Sequence, residues 1–307
     1  MFIKDNLSWI NVSIACKCLR VTRSCYYNWI NNAGKRLERA KKRQILVDQI
    51  KHEYTKSKKR YGSTKITKSL KSQGICVNHK TVEKLMRTNN IKSVVNKKYK
   101  ATTNSSHTLD VFDNVLDRQF NVAKPNVAWV SDITYCATDE GWLYLATVLD
   151  LYSNKVIGYA MSKRINKELV INALRNALRA RNYPINVIVH SDRGSQYASK
   201  AYKALLKEHG LIGSMSRKGN CWDNAVAENF FGIIKKEFIN QMRFITRNQA
   251  KLGIFDYIEA WYNPQRIHSK LGYLSPDNFE KSGVNSTCNV VKAIDKNMKI
   301  GTIGVQL

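Results

Sequence analysis

Three carboxylates stand in stretches of this chain where an acid is out of keeping with its neighbours. Asp132 interrupts the apolar run "VAWVSDITY" (127–135), Asp192 follows "INVIV" in "HSDRGSQY" (190–197), and Glu228 lies within "DNAVAENFFGIIKKEFIN" (223–240). On a helical wheel Glu228 lies opposite Val226, Phe230 and Ile233, with Phe231, Ile234 and Phe238 on the adjoining flank, which keeps the acid off the buried arc. Lys235 returns to within about 20° of Glu228 two turns on. Carboxylates without dedicated His or Cys ligands suit Mg²⁺ or Mn²⁺. Two such ions ~3.5–4 Å apart stabilise the attacking and leaving oxygens of an in-line phosphodiester displacement. Singly, each acid also has an ordinary reading: Asp192 before Gly194 as turn chemistry, Asp132 as a loop or cap acid, Glu228 as a solvated helix residue.

The surrounding elements decide whether the three can meet. "VAWVSDITY", "WLYLATVLDLYS" (142–153) and "KVIGYAMS" (155–162) are rich in β-branched and aromatic residues, with turns at Asp139-Glu140-Gly141 and Ser153-Asn154. They predict an antiparallel meander. Then follow a helix in "NKELVINALRNALRARN", a buried strand in "INVIVHSD", a helix stopped by Gly210, a strand in "LIGSMS", and a closing helix capped by Asp223 or Asn224. The order β-β-β-α-β-α-β-α is that of an α/β domain, a mixed five-stranded sheet flanked by helices. If the first and fourth strands are neighbours, Asp132 and Asp192 emerge at one sheet edge.

The chain has 307 residues and a formal charge of +28, which points to a polyanionic partner. Residues 1–100 carry 25 Lys and Arg against 5 Asp and Glu, so the grip is expected there. Residues 12–30 read as two short helices with Ser13 and Thr22 as N-caps, and a charged helix follows with an apolar stripe of Ile45, Leu46, Ile50 and Tyr54. In "YGSTKITKSLKSQGICVNHKTVEKLMRTNNI" (61–91), Ile66 and Leu70 lie one turn apart, Gly74 stops that helix, and Asn78 starts another that buries Val82, Leu85 and Met86. This is a helix-turn-helix pattern, with His79, Lys80, Lys84 and Arg87 left to meet DNA. A small helical hairpin with a solvated basic face is the plainer reading. The domains expected are a basic helical segment (1–45), the helix-turn-helix (46–100), a linker (101–121), the sheet domain with a C-terminal extension (122–283) and a tail (284–307).

No apolar run reaches 18 residues and no signal-peptide pattern opens the chain, so a cytoplasmic protein without membrane contact is expected. Seven cysteines without repeated CxxC spacing read as reduced thiols. Cys76 with His79 makes only half a zinc site.

Taken together, these residues resemble the bacterial insertion-sequence transposases of the OrfB type, which share a retroviral-integrase-like, RNase H-like core. That family carries an Asp, Asp, Glu triad with 35 residues between the second Asp and the Glu, as Asp192 and Glu228 have here. The contexts "WVSDITY", "HSDRGSQY", "SMSRKGNCWDNAVAENFFGIIKKE" and "YNPQRIHSKLGYLSP" also match, as does the basic residue seven after the Glu, Lys235. The resemblance covers about residues 1–280. It implies catalysis and metal binding by Asp132, Asp192 and Glu228, a cofactor pair of Mg²⁺ or Mn²⁺ ions, and DNA cleavage that frees a 3′ hydroxyl for attack on a second phosphodiester. Double-stranded DNA, as element ends and target, is the implied partner. A homo-oligomer on that DNA, an upstream OrfA-type product and a nucleoid location are implied with it.

Lys235, Arg193, Arg217 and Lys218 are then expected to contact phosphates, Gly194 and Gly219 to allow turns, and Trp222 either to stack on an unpaired base or to fill a core edge. His190 reads equally as a ligand-orienting or a structural residue, and Arg266, His268 and Lys270 stay unassigned. Two rivals remain: an RNase H-type nuclease using Asp150 as a fourth acid, and a DNA-binding regulator without catalysis.

Overall fold

The computed structural model describes residues 11–94, 111–217 and 221–283, in two compact units divided at Ser93 and Val94. The expected tail (284–307), most of the expected linker (101–110), Lys218 and Gly219 lie outside the described residues.

The first unit is helical: α1 (Val12–Cys18), α2 (Arg23–Asn31), α3 (Ala33–Lys56), α4 (Ser63–Ser72) and α5 (His79–Thr88). Thr22 caps α2 as expected, its side chain accepting from Cys25 N, whereas α1 is capped by Asn11 and not by Ser13. Ile66 and Leu70 of α4 pack against Val82, Leu85 and Met86 of α5. Gly74, at φ +82°, ends α4 while Ile75 N donates back to Leu70 O, and Asn78 Oδ1 accepts from Lys80 N to start α5. The α3 stripe differs from expectation. Val47, Ile50 and Glu53 are buried while Ile45 is exposed, because Glu53 accepts from Ser69 and Gln73 of the α4 region and is solvated by protein. The expected boundary at 45/46 falls inside α3, a single helix of 24 residues.

The second unit holds β1 (Ala128–Thr138), β2 (Gly141–Asp150), β3 (Lys155–Ser162), α6 (Lys167–Ala180), β4 (Ile188–Ser191), α7 (Lys200–Glu208), β5 (Ile212–Met215), α8 (Ala225–Glu237) and α9 (Arg247–Asp256). The sheet is mixed and its meander antiparallel, as expected; its order is β3-β2-β1-β4-β5, with β1, β4 and β5 parallel, so the first and fourth strands are neighbours. On one face Trp129, Ala146 and Val148 form a core with Val170 and Leu174 of α6 and with Tyr202 and Leu206 of α7. The helices α8 and α9 pack on β1 and β2.

Residues 111–121, expected as linker, instead belong to this unit. Leu116 is buried, its N–H donates to Ser214 Oγ, and Asp113 O accepts from Met215 N, so the segment completes the β5 side of the sheet. The Phe112 ring fills the space beside Gly213, where a Cβ would come within 2.5 Å of it.

Candidate active site

In the parallel ladder Ala128 pairs with Ile188, Trp129 with Val189 and Val130 with His190. The same register carried two residues on sets Asp192, just past the end of β4, level with Asp132 inside β1. Asp132 is three residues from Trp129, so its side chain leaves by the face opposite the α6 and α7 core. There α8 carries Glu228 in its first turn and Lys235 in its last. The buried arc of α8 is Ala227, Phe230, Phe231 and Ile234, which leaves Glu228 exposed.

The three acids share one field. Burial raises the Asp132 carboxyl well above the usual range, Asp192 and then Glu228 add to the rise, and Lys235 opposes it. Glu228, an exposed residue, is raised by partial desolvation of its carboxyl and then by Asp192. Asp132 Oδ1 accepts from Ile133 N at 2.7 Å, and Asp192 Oδ1 from Gly194 N at 3.0 Å. A Cβ on Gly194 would come within 3.0 Å of that same Asp192 oxygen, so glycine here keeps space for the carboxylate. Among the described residues no three His, Cys, Asp or Glu side chains close into a metal-holding group. Hard oxygen donors with an excess of negative charge nevertheless suit a divalent cation, since each acid raises another's proton affinity until a cation compensates.

Tyr197, within the quoted "HSDRGSQY" but not singled out from sequence, lies buried with its hydroxyl 3.0 Å from Ser131 Oγ, and its pKa is raised by burial and then by Asp132 and Asp192. Lys235 Nζ sits 4.4 Å over the Tyr135 ring, and burial lowers its pKa.

Other expectations are redirected. Arg193 Nε donates to Ser216 O at 2.6 Å, tying the β4 exit to the β5 exit. Arg217 is bound by Asp223, which accepts from its backbone N, Nε and Nη2, each at 2.9 Å, and from Arg118 Nε at 2.8 Å. Those bonds, led by Arg217, hold Asp223 well below the usual carboxylate range. Asp223 therefore anchors the 3₁₀ turn Cys221–Asn224 ahead of α8, and Asn224, the other expected cap, takes the N-cap position without a side-chain hydrogen bond.

His190 is structural: it is wholly buried between Ser214 Oγ and Ser216 Oγ, at 2.9 and 3.2 Å, and burial pushes its pKa down to about 4. Trp222 is 69% exposed, so it fills no core edge. Arg266 and His268 are buried together, Arg266 against Glu237, while Lys270 Nζ donates to Phe120 O. Asp150, the fourth acid a nuclease would use, is occupied by Arg181 and by the backbone N–H groups of Asn126 and Tyr152.

In the first unit Lys80 and Lys84 line a cleft with Lys42 and Arg43 over Leu46 and Leu85, and Arg87 is exposed. His79 Nε2 lies 3.0 Å from Ser63 Oγ and 3.3 Å from Thr64 Oγ1.

Integrase core domain families match residues 122–221 and 228–283, and an HTH-like domain family matches residues 41–99. The second unit thus defines a polynucleotidyl transferase of the integrase class, preceded by an HTH-like domain. The chain is 42% identical over 284 residues to Transposase InsF for insertion sequence IS3A of Escherichia coli (strain K12), spanning 92% of this chain and 99% of that relative. It is 41% identical over 266 residues to the insertion element IS600 31 kDa protein of Shigella sonnei, spanning 87% and 97%. The chain belongs to the IS3-type insertion-sequence transposases. An intasome of simian T-cell lymphotropic virus is also similar, with 16% identity, a TM-score of 0.43, and 69% and 73% of the two chains covered. Among the described residues no helix is long and apolar enough to cross a membrane.

Proposed function

We propose that this transposase cuts the ends of its own insertion sequence and joins them to target DNA through Asp132, Asp192 and Glu228. The observation that carries the reading is the parallel β1–β4 register, which sets two acids side by side under a helix bearing the third. Asp132 and Asp192 hold divalent ions from the sheet, and Glu228 closes the set from α8. Two ions, Mg²⁺ or Mn²⁺, supply charge stabilisation to the attacking and leaving oxygens when bound. In the first step water displaces the 3′ oxygen of the element end from phosphorus, leaving a 3′ hydroxyl. In the second that hydroxyl attacks a target phosphodiester, so one P–O bond forms as another breaks. Lys235 takes a phosphate oxygen near the scissile bond.

Lys80, Lys84 and Arg87, with His79, bind double-stranded DNA through the HTH-like domain, and Arg193 and Lys218 add phosphate contacts. Arg217 can add one only from a side chain already held by Asp223. The working species is a homo-oligomer on DNA, with an OrfA-type product supplying further end recognition, on the nucleoid in the bacterial cytoplasm.

The test uses the terminal inverted repeats flanking the gene as substrates with Mg²⁺ or Mn²⁺. Cleavage and strand joining by the wild-type chain, lost in Asp192→Asn, are expected. Metal-dependent cleavage at the wild-type rate by Asp192→Asn would overturn the proposal. Cutting without joining of pre-cleaved ends would favour a nuclease.

A further inference from the structure

The β1–β2 hairpin ends in an aromatic surface that the triad does not use. Trp142 is 51% exposed, and its ring meets Tyr135 at 5.0 Å and 84°. The Lys235 ammonium also lies over the Tyr135 ring, at 4.4 Å. Single exposed tryptophans are common on protein surfaces. This one is held in place. Gly141, at φ +105°, turns the chain into β2 and leaves room for the Arg247 guanidinium, which a Cβ there would meet at 2.8 Å. Arg247 Nε donates to Trp142 O at 3.0 Å, and its backbone N–H donates to Glu140, while Arg243 pairs with Asp139. Arg247 Nη1 also lies 3.9 Å from Glu140 Oε2, so each hairpin acid faces an arginine, and a cation and an indole both meet one aromatic ring.

We propose that Trp142, braced by Tyr135, is a stacking platform for an unpaired nucleobase of the DNA strand whose phosphate Lys235 engages. This rests on the assignment of Lys235 to a phosphate beside the triad. A strand drawn towards a recessed carboxylate leaves its duplex stack locally, and an aromatic face restores part of that stacking whatever the base. The ligand is therefore a single-stranded segment or frayed end and not intact duplex.

The experiment uses the full chain in EDTA, so that no cleavage occurs. The probes are a duplex of about 20 base pairs with a 3′ overhang of about three nucleotides carrying 2-aminopurine, and the same duplex with blunt ends. Wild type is expected to quench the overhang fluorophore. Trp142→Ala should lose that quench and weaken the overhang probe by about tenfold more than the blunt one. Trp142→Phe, which keeps a ring and serves as the folded control, should retain most of both, and Trp222→Ala should leave the quench in place. An unchanged quench in Trp142→Ala, an equal loss on both probes, or removal of the quench by Trp222→Ala alone overturns the platform. Nicking of plasmid DNA in Mg²⁺, lost in Asp192→Asn, reports the triad separately, so either reading can fail without the other.

Discussion

Arg266 grips Glu237 with two nitrogens: Nη2 donates to Oε1 at 2.8 Å and Nε reaches both carboxylate oxygens, at 3.0 and 3.1 Å, with each side chain only 7% exposed. Glu237 is the last residue of α8, and Tyr257 Oη donates to it as well. The pair thus fixes the roll of the helix that presents Glu228 and Lys235.

Breaking this pair from one side strands a buried charge. Arg266→Met or Glu237→Gln is expected to cost about 3–5 kcal/mol, and the double variant Arg266→Met/Glu237→Met considerably less, because no lone charge remains. Denaturant unfolding of the three variants checks the order. A double variant as unstable as the worse single one would show that something other than the unpaired charge is felt.

Asp132 carries a folded-state penalty. Its carboxyl is raised by burial, Asp192 and Glu228, so stability is fully present below the unfolded carboxylate pKa and is lost as pH rises through the raised folded value. Asp132→Asn is therefore expected to melt higher than wild type at neutral pH in EDTA, by about 2–4 °C for each 1 kcal/mol relieved. Added Mg²⁺ should raise the melting temperature of wild type and not that of Asp132→Asn, and chelation should reverse it. Equal responses to Mg²⁺ in both proteins would count against metal binding at Asp132.

Gly158 of β3 and Gly232 of α8 should respond in opposite directions to alanine. A Cβ on Gly158 would lie 2.4 Å from Ala177 N and 2.5 Å from Ala173 O, backbone atoms of α6 that cannot swing aside. Gly158→Ala is expected to destabilise by about 3 kcal/mol, the upper part of the range for overpacking. Gly232 has nothing within 4 Å, so Gly232→Ala should stabilise α8 by about 0.5–1 kcal/mol through helix propensity. Chemical denaturation of both variants measures the contrast.

His190 sets an acid limit. Its pKa is pushed down to about 4 by burial, so between about pH 6.5 and 4 the unfolded chain binds a proton that the folded chain does not. Stability is expected to fall across that window as pH drops, and the fall should be shallower in His190→Gln. Unfolding free energies of both proteins at pH 7 and pH 5 check this; parallel pH dependences would remove His190 as a source.

The succession of elements along the chain and the strands that carry Asp132 and Asp192 were legible because β-branched runs, turn residues and helical periodicity are local signals, whereas the adjacency of β1 and β4 is fixed only by the sheet itself. The 35-residue interval to Glu228, read with its flanking motifs, supplied the family. What escaped were polar pairings across long separations. Asp223 is satisfied by Asn114 and Arg118, more than a hundred residues away, and Glu237 by Arg266. Such charged residues look like solvated helix or loop positions until the fold brings their partners; Arg217 reads as a free cation for another reason, since its partner Asp223 is only six residues on but is reached through a turn that has no periodic signal. The segment 111–121 escaped because Phe112, Leu116 and Phe120 recur every four residues without forming a helix, and Phe112 and Leu116 instead fit places beside β5.

The β1–β4 ladder also has a meaning for insertions and deletions. Side chains alternate along a strand, so one residue added between Val130 and Asp132 would turn the carboxylate into the layer occupied by Trp129 and the α6 core. The same addition in the Asp139–Gly141 turn would leave the two aspartates level with each other across the ladder. The sheet's hydrogen bonds act as a ruler for the chemistry, and length changes in this chain are tolerable only where that ruler is not being read.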